Sequence, residues 1–200
     1  MENYYLLSWK DTKEPLASAF APKGTKLAQD LIPQLNGINK LPFELNLVKL
    51  SVGKNGLIES DNLTEMKDTW LDYQPNSLAW PMMSEKLKST VEELLTGNEY
   101  IDWITATVNC KEEQKTYYIP RFNKLLDVLD TQKTMFVQGT NVIIRPVFSS
   151  SKISLFSMFS KPASHDLWKI TSGLYVSEYL KKTIQEQNLS GIKFEKTRVE

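Results

Sequence analysis

Two ten-residue stretches, 84–93 and 177–186, carry the clearest helical part of the hydrophobic pattern, and six of their ten positions are identical at a separation of 93 residues. In the first, Leu87, Val91, Leu94 and Leu95 fall at i, i+4, i+7 and i+8 and form one apolar stripe. In the second, Leu180 and Ile184 carry the stripe, because Gln187 and Asn188 stand where Leu94 and Leu95 stood. Ser84 and Ser177 open the copies as residues able to accept a hydrogen bond from the first helical turn, and the Glu that follows each complements the positive helix end. Each copy closes on Leu95-Thr96-Gly97 or Leu189-Ser190-Gly191, and an alternating stretch follows, Ile101-Asp102-Trp103 or Ile192-Lys193-Phe194. The repeated unit therefore reads as helix, glycine stop and strand, with helices over 84–95 and 177–188. Identities at Lys88/Lys181 and Thr90/Thr183, positions expected to be exposed, favour a shared structural role over convergence.

Elsewhere the period is closer to two. Strands are expected over 4–8, 43–52, 101–108, 115–119, 125–129, 135–137, 141–148 and 192–194. Asn55-Gly56 turns the second of these into a hairpin with a return strand from Leu57. Residues 10–24, with Pro15, Pro22 and Gly24, read as irregular, and Thr25 as the cap of a short helix that Pro33 ends. A turn or brief helix is expected near 63–66. Short connections make neighbouring strands antiparallel, and the class is α+β, an antiparallel or mixed sheet packed by a few helices. One domain over 1–200 is expected, with a soft internal boundary near 80.

Composition narrows the function. Hydrophobic residues are 41% and charged residues 24% of 200, and 24 basic residues balance 24 acidic ones. That zero formal charge removes the bulk electrostatic argument for a nucleic-acid binder. The N-terminal apolar run is too short and lacks the basic start of a signal peptide, and no stretch approaches the ~20 apolar residues of a membrane helix. A complete cytoplasmic protein without a membrane partner is expected.

Candidate chemistry is sparse. The one cysteine, Cys110, excludes an intrachain disulfide framework, and it lies 55 residues from the one histidine, His165, with no flanking signature for a catalytic pair. No phosphate-cradling glycine loop and no nucleophile elbow occurs. Glu92-Glu93 and Glu112-Glu113 are adjacent pairs that point apart on a helix or strand. No catalytic residue, cofactor or metal is assigned.

Two segments suit a partner surface better. Glu59, Asp61, Glu65, Asp68 and Asp72 place five acidic residues in 14 positions, opposed only by Lys67, beside Trp70, Tyr73 and Trp80. Acidic charge steers encounter and aromatic side chains hold a complex. In 153–159, Ile153 and Leu155 alternate like a strand, whereas Phe156, Met158 and Phe159 break the alternation, which leaves apolar groups for a partner. The expected partner residues are Asp68, Trp70, Asp72, Tyr73, Trp80, Phe156, Met158 and Phe159.

Trp80-Pro81-Met82-Met83-Ser84-Glu85-Lys86-Leu87-Lys88, Tyr117-Tyr118-Ile119, the 125–130 run Leu-Leu-Asp-Val-Leu-Asp, and 174–181 with Gly191-Ile192-Lys193-Phe194-Glu195 occur in an order that resembles the bacterial immunity-protein families numbered 43 and 11. The likeness is sharpest from Trp70 onward, and the passage from Trp70 to Trp80 into the first repeat helix favours family 43. The resemblance implies an antidote that binds a cognate secreted or contact-delivered toxin domain, with no catalytic residues of its own. A small enzyme that reverses a toxin's product, using His165 and Asp166, and an effector-loading adaptor are the alternatives.

Overall fold

The computed structural model describes residues 3–10, 15–54, 56–64, 66, 69–111 and 113–200. Its strands and helices are β1 (Tyr4–Trp9), β2 (Leu16–Phe20), α1 (Ala28–Leu31), β3 (Leu45–Gly53), β4 (Gly56–Ser60), α2 (Glu85–Leu94), β5 (Ile101–Cys110), β6 (Glu113–Phe122), β7 (Met135–Phe136), β8 (Ile143–Arg145), α3 (Ser150–Ile153), β9 (Met158–Ser160), β10 (Leu174–Ser177), α4 (Glu178–Glu186) and β11 (Ile192–Lys196). The fold is α+β with sheet dominant. A four-stranded antiparallel sheet runs β11-β1-β10-β9. A five-stranded mixed sheet runs β2-β3-β5-β6 with β4 also on β3, and the only parallel strand pair described is β3 with β5. β7 and β8 form a hairpin of their own.

Both repeat helices start at their serines. Ser84 Oγ accepts from the Leu87 N–H and Ser177 Oγ from the Leu180 N–H, each at 3.2 Å. Leu87, Val91, Leu180 and Ile184 are buried, each contributing ~1.5–3 kcal/mol by leaving water. The repeated lysines have equivalent places, Lys88 Nζ 5.0 Å from the Tyr118 ring and Lys181 Nζ 3.7 Å from the Tyr5 ring. Thr90 and Thr183 both donate to the carbonyl four residues back. Thr90 is buried rather than solvated, because its hydroxyl also meets Gln187 Oε1 at 2.7 Å where the two helices pack together. Gln187 thus replaces an apolar stripe residue with a polar tie between the copies.

The glycine stops work differently from the expectation. α4 ends on left-handed Asn188 (φ 54°), and Gly97 and Gly191 take φ of 87° and 80° further along the loops toward β5 and β11. At Gly191 a Cβ would stand 2.6 Å from the Tyr73 carbonyl oxygen, so close backbone approach as well as φ requires glycine there.

Several local expectations are corrected. Residues 10–24 contain β2, whose Ala17 and Ala19 are fully buried, so small side chains rather than an alternating apolar run mark this strand. Thr25 does not cap α1, because its hydroxyl donates to the Pro22 carbonyl; the α-helix ends at Leu31 as expected, and Pro33 lies in a 3-10 turn over Ile32–Leu35 that continues from it. The 125–129 stretch is not a strand, and only Leu129 bridges to Phe148. Gly53 pairs with Gly56 across the expected hairpin, whose Asn55 lies outside the described residues.

The core has two hydrophobic clusters. One joins β1, β9 and β10 to α2 and α4, with Phe148, Phe159 and Tyr175 in mutual ring contact at 4.6–5.3 Å. The other packs residues of the five-stranded sheet, Leu45, Leu47, Ile104, Val108 and Ile119, with Trp80. The segment 73–83 serves both. Ala19 and Ser77 N–H groups pair it with β2, while Met83 exchanges two 2.8 Å hydrogen bonds with Tyr118 of β6. One irregular segment therefore covers the outer edges of β2 and β6, two of the places where another strand could add to this sheet. Buried Arg121 adds a polar tie, donating to both Asp102 oxygens and to the Leu35 and Ile38 carbonyls.

Candidate functional site

Of the eight residues expected at a partner surface, the seven described ones do not form one exposed patch. Asp68 lies outside the described residues, as do Glu65 and Lys67 of the acidic run. Tyr73 and Trp80 are 1% and 2% exposed, and Met158 and Phe159 are fully buried. Those four are packing residues: the broken alternation of 153–159 reflects a turn of helix at α3 leading into β9, whose three residues are buried on both faces. Phe156 is half-buried, with exposed Leu155 beside it. Trp70 is half-buried, donates its indole N–H to Glu113 at 2.7 Å, stacks on Tyr117 and lies under Lys115 Nζ.

Asp72 is a structural carboxylate. It accepts from the Ser84 hydroxyl at 2.7 Å and from both the N–H and hydroxyl of Ser190 at 2.8 Å, joining the start of one repeat to the end of the other. Buried Glu99 does the same work in the first copy, accepting from the N–H and hydroxyl of Thr96 at 3.0 Å and from the Ser157 N–H at 2.8 Å. Charge-assisted bonds of this kind are worth about 1.5–3 kcal/mol each, which explains why a buried Glu is tolerated.

A surface that the sequence analysis did not single out is built around the β7–β8 hairpin. Phe136 and Ile143 pack inward, while Met135, Val137, Val142 and Ile144 are 54%, 41%, 54% and 56% exposed. Both faces of the hairpin are apolar, so alternation alone could not say which face meets the core. Between the hairpin and the 161–173 loop runs a groove of about 1080 Å³, lined by Trp9, Leu125, Phe136, Ile143, Lys161 and Leu167 among others. Tyr73 and Trp80 also reach its wall. The indole N–H of Trp9 is buried with no acceptor among the described residues, a deficit of about 1–3 kcal/mol beside the groove. Backbone strain accompanies it: Ala79 in the wall and the consecutive His165 and Asp166 in the loop hold φ of 56°, 55° and 62°. Non-glycine residues in this region cost of order 1–3 kcal/mol each and gather at functional sites.

Among the described residues no hydrogen bond joins a hydroxyl or thiol of the groove lining to a basic side chain. His165 is exposed in its loop, and Asp166 bonds Lys169 at 2.9 Å. Cys110 ends β5 and packs by Trp70 in a separate depression. Burial, with Glu113 nearby, pushes its thiol pKa up and so away from the reactive thiolate. Among the described residues no helix is long and apolar enough to cross a membrane.

No curated protein matches the chain. The immunity protein family Imm11 matches residues 60–199, which include both repeat units, the hairpin and the groove-lining loop. The family 11 pattern covers more than two thirds of the chain, and this protein belongs to that immunity protein family.

Proposed function

We propose that this protein neutralises a cognate toxin domain by binding it in a one-to-one complex that occludes the toxin, without catalysis. Membership of an immunity family supports the antidote role. The observation that carries the mode of action is the hairpin's outward apolar face next to a long groove, since contiguous exposed apolar surface marks interaction sites. In this reading the protein works in the cytoplasm of the producing cell, and the groove and hairpin provide more of the contact than the acidic run does.

A dose titration tests it. Toxin activity is measured while antidote is added, with the toxin domain encoded beside this chain's gene as the probe. Inhibition is expected to reach completion at equimolar antidote and to be unaffected by His165→Ala or Cys110→Ala. Complete protection at a small fraction of equimolar antidote, lost in folded His165→Ala, establishes the enzymatic alternative instead.

A further inference from the structure

Basic and acidic residues are equal in number over the whole chain, yet the stretch 131–165 holds Lys133, Arg145, Lys152 and Lys161 and no Asp or Glu. Two of the four are neutralised, Lys133 by Glu200 at 2.7 Å and Lys152 by Asp127 at 2.8 Å. Arg145 and Lys161 enter no ion pair among the described residues. Lys161 lines the groove, and no acidic side chain among the described residues does. Arg145 is exposed at the end of β8, opposite Met135. Apolar side chains and two cations without an ion pair among the described residues thus occur together in the groove and the hairpin that walls it.

A second feature concerns the backbone. β7 and β8 pair only with each other among the described strands, and among the described residues no loop forms a backbone hydrogen bond with Met135, Phe136 or 143–145, which leaves their outer edges open to another strand. An open edge with apolar side chains is the geometry that takes up an extended segment by strand addition.

We infer that the groove and the hairpin's outer face seat an extended segment of the toxin that is apolar and acidic, its carboxylates meeting Lys161 and Arg145. This rests on the neutralisation reading above and gives its partner surface a chemistry. Complementary charge sets the sign: a basic segment would meet two unpaired cations with no carboxylate to offset them. A lipid surface is the other apolar and anionic partner, but a planar bilayer cannot fill a concave groove of about 1080 Å³.

The test is binding kinetics between the full chain and a detoxified form of the toxin domain encoded beside it. One variant carries Val142→Asp with Ile144→Asp, the other Arg145→Glu with Lys161→Glu, and each is first shown to unfold in urea at the wild-type midpoint. Should the second fail to fold, Arg145→Gln with Lys161→Gln replaces it. The apolar variant is expected to bind about 100-fold more weakly, mainly through faster dissociation. The charge variant is expected to associate about tenfold more slowly at low salt, with a flatter salt dependence. Faster association of the charge variant overturns the acidic assignment. Wild-type affinity in both variants overturns the surface while leaving one-to-one neutralisation intact, and absence of any complex overturns both. Binding to phosphatidylglycerol vesicles that the charge variant loses, with toxin binding unchanged, assigns the face to lipid and overturns the inference.

Discussion

Asp72 and Ser190 hold each other through three hydrogen bonds: the Asp72 N–H donates to Ser190 Oγ at 3.0 Å, and the N–H and hydroxyl of Ser190 both donate to Asp72 Oδ2 at 2.8 Å. The same carboxylate takes the hydroxyl of the helix cap Ser84. An acidic residue suited by sequence to steering a partner is instead the joint between the two repeat units.

Asp72→Ala is therefore expected to destabilise the fold by about 2–4 kcal/mol, because it strips acceptors from part-buried donors. Asp72→Asn keeps one acceptor oxygen and is expected to cost less. Urea denaturation of the two variants checks the order; a wild-type midpoint for Asp72→Ala returns the residue to the solvated surface.

The two glycines of the repeats separate conformational from steric cost. Gly97→Ala meets nothing within 4 Å and is expected to cost only the left-handed backbone term, about 1–2 kcal/mol. Gly191→Ala adds contacts of 2.6 Å to the Tyr73 carbonyl and 3.0 Å to Leu71 Cβ, and is expected to lose clearly more than Gly97→Ala or fail to fold. Equal losses in thermal unfolding would falsify the close approach.

Acid sensitivity has a local source at α4. A hydrogen bond from Asn3 is the main cause that holds the Glu178 carboxyl below the usual carboxylate range; burial opposes it, and the nearby Lys182 cation adds a smaller lowering effect. Its contribution is present in full above the unfolded carboxylate pKa and is lost as pH falls through the lowered folded value. An NMR titration of the side-chain carbon is expected to show a depressed midpoint that Asn3→Ala moves upward. A midpoint indifferent to Asn3→Ala contradicts the assigned cause.

Cys110 is expected to react with iodoacetamide near neutral pH more slowly than a free thiol, since burial and Glu113 disfavour the thiolate. Glu113→Gln is expected to speed it modestly. A thiol that alkylates as fast as free cysteine counts against the protected position beside Trp70.

Local rules reached far along this chain, and where they stopped is instructive. Ser84, Leu87 and Val91, with Ser177, Leu180 and Ile184, define both repeat helices and their starts, because capping and a 3.6-residue stripe are properties of neighbours in sequence. The Asn55-Gly56 turn signal and the apolar alternation after Phe43 likewise define the β3–β4 hairpin. β2 carries little periodic signal, because its three consecutive buried residues are the small Ala17, Ser18 and Ala19, and its pairing partner on one edge is the irregular 73–83 segment.

The periods of two and 3.6 along the chain determined the α+β class, and the order of aromatic and repeat motifs the immunity-family kinship. Tertiary structure alone decided which apolar groups stay outside. Met158 and Phe159 enter a core that β1 and β10 assemble from opposite ends of the chain, while Met135, Val137, Val142 and Ile144 stay 41–56% exposed on their face of the hairpin. Burial is set by what lies across a contact, and these contacts join residues far apart in sequence, so a pattern of neighbours could not assign it.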